Sequence, residues 1–276
     1  MNRPLRPVKM IASDLDGTLL RPDGTVSDRT LASIEAARAA GIEFVPATGR
    51  PRVITVDVME RLPFLDYWVL ANGSVTWHLG RSELLRGFWI EVTLAKDLIM
   101  RIRERLPNAG LAVEFEDDVA FEAGFEEVVP IQPASDPSVD LLDRIDQRVQ
   151  KILVFDTSKS IDELFDGVSE AVGDDGAASY SGLRFVELAA GEVTKATGLS
   201  LLAADFGIAA DEVAAFGDNH NDVAMLTWAG RSFAMDHATD DAKTAAGQTI
   251  GSNADDAVAD KIDQFVAEAE VRSTGC

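Results

Sequence analysis

The chain has 276 residues, 46% of them hydrophobic, which is enough for a sizeable core and long enough for one domain carrying a second. Its 47 acidic against 25 basic residues leave a formal charge of -22, a field that repels nucleic acid and anionic membrane surfaces. The only cysteine is Cys276, so no intrachain disulfide can form and a reducing compartment is implied.

The first nine residues, "MNRPLRPVK", are basic but lead into too short an apolar run for a signal peptide. The run itself, 8–13, reads as a short buried strand that ends at Asp14. A helical pattern follows over 28–40, with Ser27 as N-cap and Gly41 as stop. Strand-like runs at 42–47 and 67–71 then end at Thr48-Gly49-Arg50 and at Asn72-Gly73. Strand, helix, strand with short connections implies parallel pairing and right-handed crossovers.

From residue 84 to 190 the texture changes. Helices are predicted at 93–106 and 160–172, and strands at 111–115, 151–155, 177–180 and 183–188. Ser181-Gly182 marks a hairpin between the last two, and the acidic stretch 136–146 reads as an exposed loop and helix. This mixture implies an α+β domain inserted into the first. After Val193 helix and strand signals alternate again. A strand at 212–216 ends at Gly217-Asp218, a last strand is predicted at 231–235 and a terminal helix at 255–270. The expected fold class is α/β: a parallel-sheet core from residues 1–83 and 191–276, with residues 84–190 inserted. No stretch approaches the ~18 apolar residues of a membrane span, so a soluble cytoplasmic protein, monomeric or homodimeric, is expected.

In open α/β sheets ligands bind beyond the carboxyl ends of strands, so the four polar clusters should converge on one crevice. Asp14 and Asp16 would repel one another there unless a cation or a shared proton relieves them. Mg²⁺ suits such oxygen ligands, with Asp218 as a third oxygen source. A carboxylate held in this way can attack phosphorus, while a second carboxyl gives and then takes the proton. The Thr48 hydroxyl, Gly49 N–H, Lys195 ammonium and Asn221 amide are candidate partners for the phosphoryl oxygens.

"DLDGTLL" at 14–20, "ATGR" at 47–50, "ANG" at 71–73, Lys195 in "GEVTKATGLSLL" and "FGDNHNDVAML" at 216–226 occur in that order. Together they resemble the haloacid dehalogenase superfamily, specifically its Cof-type phosphatases with a large α/β cap. The resemblance implies a Rossmann-like core and an aspartyl-phosphate mechanism. Asp14 would be nucleophile and Mg²⁺ ligand. Asp16 would be general acid/base, with its backbone carbonyl on the metal, and Asp218 the remaining ligand. Leu15 N–H, Thr48, Gly49, Lys195 and Asn221 would hold the phosphate, and Asp222 would support the metal ligands from behind. Three places depart from the family pattern. Ala196 stands where glycine usually follows the lysine, "AMDHA" at 234–238 replaces "AMGNA", and "DAVA" at 256–259 replaces "DGVA".

Other residues have blander readings. Arg50 is either a substrate contact or a salt bridge at a helix start, and Asn72 either bonds substrate or shapes its turn. His78 falls in a hairpin, and His220 and His237 are left out of the metal set. Phe121 and Phe125 belong to the inserted domain's core or to its inner face. The function expected is a Mg²⁺-dependent phosphatase of a small phosphorylated metabolite, with a sugar phosphate as the leading class. A phosphomutase and a non-catalytic sensor are the alternatives.

Overall fold

A computed structural model describes residues 6–116, 118–123, 125 and 139–274. The chain opens with β1 (Met10–Ser13), α1 (Asp28–Ala39), β2 (Glu43–Pro46), α2 (Arg52–Arg61) and β3 (Tyr67–Leu70). Ser27 caps α1 by accepting from the Thr30 N–H, as its sequence predicts. A hairpin follows, with β4 (Val75–His78) and β5 (Glu83–Gly87). The inserted segment then contributes α3 (Val92–Arg105), β6 (Gly110–Glu114), β7 (Val119–Phe121), α4 (Leu141–Arg144), β8 (Lys151–Phe155), α5 (Ile161–Val172), β9 (Gly176–Ser179) and β10 (Val186–Ala190). The chain returns through α6 (Lys195–Asp205), β11 (Val213–Gly217), α7 (Val223–Trp228), β12 (Arg231–Ala234), α8 (Asp240–Ala245), β13 (Gln248–Thr249) and α9 (Ala257–Thr274).

The core sheet has the order β13-β12-β11-β1-β2 and is parallel throughout. β1, β2, β11 and β12 are short and largely buried, which suits a parallel sheet covered by helices. α1 and α9 pack together on it. Register sets the site: Ser13, the last residue of β1, lies beside Phe216 of β11 and Pro46 of β2. Asp14, Thr48 and Asp218 therefore leave neighbouring strands at one edge.

Two sequence expectations change. The run at 67–71 does form a strand, but it pairs antiparallel with β4 in a separate sheet, β3-β4-β5, and is linked to the end of β2 by an Ala47–Val69 bridge. Strand periodicity carries no information about which sheet a strand joins. The run at 231–235 is not the last strand, because the two-residue β13 pairs beyond it, too short to show any pattern. The expected boundary at residue 84 falls within β5. The stretch 136–146 contains α4, and its first three residues lie outside the described ones, as does Cys276.

The inserted segment forms an antiparallel sheet, β7-β6-β8-β10-β9. Side chains alternate between its faces. Leu111, Val113, Ile152, Val154, Val186 and Leu188 pack with the buried residues of α3 and α5. The opposite face carries Ala112, Phe121, Leu153, Phe155 and Phe185, joined by Phe125. Phe121 and Phe125 are thus buried in a cluster on the inner face. Among the described residues, no helix is long and apolar enough to cross a membrane.

Candidate active site

Asp14 begins where β1 stops. Its N–H still donates to the Phe216 carbonyl, at 3.0 Å, while its own carbonyl accepts from Leu19. The Leu15 carbonyl accepts from Thr18 and Leu20, which folds the chain back over Gly17. Gly17 has φ +79°, and a Cβ there would lie 2.5 Å from Asp218 Oδ2. Glycine is therefore needed both for the turn and for the approach of Asp218.

Lys195, the first residue of α6, lies fully buried under Asp14. Its ammonium donates to Asp14 Oδ1 at 2.5 Å and to Asp222 Oδ1 at 2.6 Å. Burial opposes the lysine's charge, but Asp14 and Asp222 outweigh it and hold the group above its ordinary value. Burial pushes the Asp14 carboxyl well up; Lys195 pulls against this, while Asp222 and Asp218 add to it. Asp218 is raised to about 6, by burial first and then by Asp222. Ala196 after the lysine leaves its aim intact. The glycine of this turn is Gly198, where a Cβ would fall 2.8 Å from Val69 Cγ1 and 3.1 Å from the Gly73 carbonyl.

Asp14, Asp218 and Asp222 bring one carboxylate oxygen each to within 4.8 Å of the others. Their three formal charges exceed that of Lys195 by two. Asp222 has no oxygen to spare: Oδ1 takes Lys195, and Oδ2 takes the N–H groups of Asp218 (2.9 Å) and Asn219 (3.0 Å). It holds the loop after β11 and supports its neighbours. Lys195 and Thr18 engage one oxygen each of Asp14 and Asp218. Two buried carboxylates with excess negative charge and hard oxygen donors fit a small divalent cation.

The Asp16 carboxylate does not join this cluster. Its side chain is 52% exposed and is gripped by Arg50, whose Nε donates to Oδ2 at 2.7 Å and whose Nη2 donates to Oδ1. Arg50 is therefore a salt bridge in this structure, one that ties the "DLDGT" turn to the "ATGR" turn. Thr48 is buried and accepts from the Arg50 N–H through its hydroxyl. Asn221 donates its amide to Asn72 Oδ1 at 3.0 Å, and its Oδ1 is buried without a hydrogen-bond partner. Of the two roles open to Asn72 in the sequence, the structure shows the turn, while its amide is engaged by protein side chains at both ends. It bends the chain in the left-handed region, with φ 55° and ψ 33°, and it bonds side chains across the site.

These groups open into a cavity of about 300 Å³ lined on the core side by Asp14, Asp16, Thr48, Gly49, Arg50 and Asn221. Lys195, Leu15 and Asp218 are buried next to these lining residues. The far side is formed by the inserted sheet and includes three charged residues that the sequence reading passed over: Glu114, Lys151 and Glu187. All three are buried. Lys151 donates to Glu187 Oε1 at 2.5 Å and to the Gly49 carbonyl at 2.7 Å, and Asn72 donates to Glu187 Oε2 at 2.9 Å. The signal was present in the sequence. Each charge stands inside an apolar strand, "GLAVEF", "KILVF" and "FVELAA", where it must find a partner. His220 stacks on Tyr180, with centroids 4.6 Å apart, and pairs with Asp241, so it stays out of the acidic cluster. Asp236 and His237 pair with each other and line a shallow outer cavity beside Asp16. Asp256 binds Arg21 and Ser27, which makes it a structural tie.

A family model of haloacid dehalogenase-like hydrolases matches residues 11–262. The chain belongs to this family. Over 271 residues the hydrolase is 28% identical to the 5-amino-6-(5-phospho-D-ribitylamino)uracil phosphatase YbjI of Escherichia coli (strain K12), covering 94% of this chain and 96% of the relative. Over 265 residues it is 26% identical to the pyridoxal phosphate phosphatase YbhA of the same organism, covering 91% and 96%. Its fold matches that of SMU.1108c from Streptococcus mutans UA159 with a TM-score of 0.82, at 23% identity over 94% of this chain and 99% of that one. The last comparison speaks to the fold alone.

Proposed function

We propose that this hydrolase is a Mg²⁺-dependent phosphatase of a small phosphorylated metabolite, working through an aspartyl-phosphate on Asp14, with residues 84–190 as its cap. The observation that carries this reading is the buried Asp14 carboxylate. It is held by Lys195 at a strand end, lies beside Asp218 and opens onto a cavity shared with Thr48, Gly49 and Asn221. The relatives named above include phosphatases of a ribitylamino-pyrimidine phosphate and of pyridoxal phosphate. Both names denote phosphomonoesters, and a sugar phosphate has the same reacting group.

On this reading the Asp14 carboxylate attacks phosphorus, so one O–P bond forms as the bond to the departing alcohol oxygen breaks. Asp16 gives that oxygen a proton. It then takes one from the water that cleaves the aspartyl-phosphate, which returns Asp14 and releases phosphate. Asp16 must part from Arg50 to do so, and an incoming phosphate is a natural competitor for the guanidinium. Asp14, Asp218 and the Asp16 carbonyl would hold the Mg²⁺, which would supply charge to offset that of a carboxylate approaching a phosphate. Lys195 fixes the direction of Asp14. The Leu15 and Gly49 N–H groups, the Thr48 hydroxyl and the Asn221 amide are assigned to the phosphoryl oxygens. Asn221 would have to leave Asn72 for that task.

Phosphate release from a panel of phosphorylated metabolites with MgCl₂, comparing wild type with Asp14→Asn, tests the assignment. Release that vanishes in the variant is expected. Equal release by both proteins would overturn it.

A further inference from the structure

The three charges on the inner face of the cap sheet have more order than packing requires. Strand alternation places Glu114, Lys151 and Glu187 on the face turned away from α3 and α5. Glu114 and Lys151 are direct cross-strand partners, and Glu187 stands opposite Leu153, two residues along the same strand. All three are buried, and all three line the cavity into which Asp14 opens.

An ammonium has three protons to give. Lys151 directs them at Gly49 O, at Glu187 Oε1 and toward Glu114 Oε2, 2.7, 2.5 and 3.1 Å away. Glu187 receives Asn72 on its other oxygen. The lysine is thus spent on the protein itself, and so is Glu187. Glu114 is held more loosely: Lys151, 3.1 Å from its buried Oε2, is the one side chain paired with it among the described residues. The formal charge of the three is -1, and the other polar side chain of the inserted segment on this wall is the neutral Ser181 hydroxyl. The other cation of the cavity, Arg50, is held on Asp16 at the phosphate end. Ile54, Leu153 and Phe185 make much of the remaining wall.

We propose that Glu114, set by Lys151 and Glu187, is a charge filter for the alcohol part of the substrate. It receives hydroxyl or amine donors and turns away any substrate with a second phosphate or a carboxylate at that end. This rests on the proposed phosphatase reading, which places the phosphoryl group at Asp14 and the alcohol against the cap. A second anion there would meet like charge in a desolvated place, with no free cation to receive it. A neutral polyol would meet no such repulsion, and a cationic amine would be drawn by the net charge of -1. The apolar wall would take the C–H face of a small ring. Burial raises Glu114 to about 7 against the pull of Lys151, with Glu187 adding to the rise. Rejection of anions should therefore strengthen as pH rises through 7.

Two matched pairs test this: glucose 6-phosphate against 6-phosphogluconate, and glycerol 3-phosphate against 3-phosphoglycerate. In each pair a neutral group is exchanged for a carboxylate. Hydrolysis is followed in the Glu114 and Glu114→Gln proteins. Binding is followed by calorimetry in the same two proteins, each carrying Asp14→Asn, with MgCl₂. With Glu114 present, the neutral member should be favoured by about tenfold or more, and Glu114→Gln should bring the ratio near unity. Lys151→Met, which strips the filter of its cation, should move the ratio the opposite way. An unchanged ratio in Glu114→Gln overturns the filter. So does equal affinity for both members of each pair in the parent protein, or no binding of any of them. A binding preference without Asp14-dependent phosphate release would sink the phosphatase reading and leave the filter standing.

Discussion

Replacing Lys195 with Met keeps a stem of similar size and deletes one charge. In the folded protein that charge lies 2.5 Å from Asp14 and 2.6 Å from Asp222, wholly out of solvent. With Asp218 included, three carboxylates face one cation, so the local formal charge goes from -2 to -3. Removing one partner of a buried pair costs about 3–5 kcal/mol. For a chain of this size each kcal/mol corresponds to roughly 2–4 °C, so a fall in melting temperature on the order of 6–20 °C is expected in EDTA. Lower pH should narrow the gap, because protonating the orphaned carboxylates relieves them. Millimolar MgCl₂ should raise the variant's melting temperature more than that of wild type, since the added cation meets one more uncompensated charge. Phosphate release should fall by about 10²-fold, because Asp14 loses the group that fixes its direction. Melting curves with EDTA and with MgCl₂ supply the test. An unchanged melting temperature in EDTA would refute the reasoning, because Lys195 would then carry no buried ion pair.

Three further outcomes are expected. Saturating Mg²⁺ at about a hundred times its Kd should stabilise the wild type by about 2.7 kcal/mol, a gain that Asp218→Asn should largely abolish in the same melting assay. Gly17→Ala forces a side chain into the left-handed region and against Asp218, so a loss of about 1–3 kcal/mol and weaker Mg²⁺ binding are expected from denaturant titration and calorimetry. Glu114 has a folded value of about 7 against an ordinary 4.5, so the stability it contributes is present below about 4.5 and lost as pH rises through 7. That loss is roughly 3 kcal/mol, and Glu114→Gln should flatten the stability-pH profile over this range relative to wild type; parallel profiles would contradict the burial argument.

Much of the core was legible from residues next to one another in the chain. β1, α1 and β2 follow from a short apolar run, a Ser27 cap, a Gly41 stop and a second apolar run, because periodicity and capping are local. The placing of Asp14 and Asp218 at neighbouring strand ends follows from the same reading, since parallel strands bring their carboxyl ends to one edge. Other features depended on distant partners. The strand at Tyr67–Leu70 reads the same whether it joins the core sheet or a hairpin, and its pairing with β4 across the turn at Ala71–Gly73 is seen in the folded chain. The turn of Asp16 toward Arg50 and the capture of Asp222 by Lys195 are pairings across 34 and 27 residues that no local pattern distinguishes. Glu114, Lys151 and Glu187 were visible one by one as charges in apolar strands. Their meeting on one face of one sheet, over the cavity beside Asp14, was decided by strand order and register. These are properties of the packed chain, because a buried charge chooses its partner in space and not along the sequence.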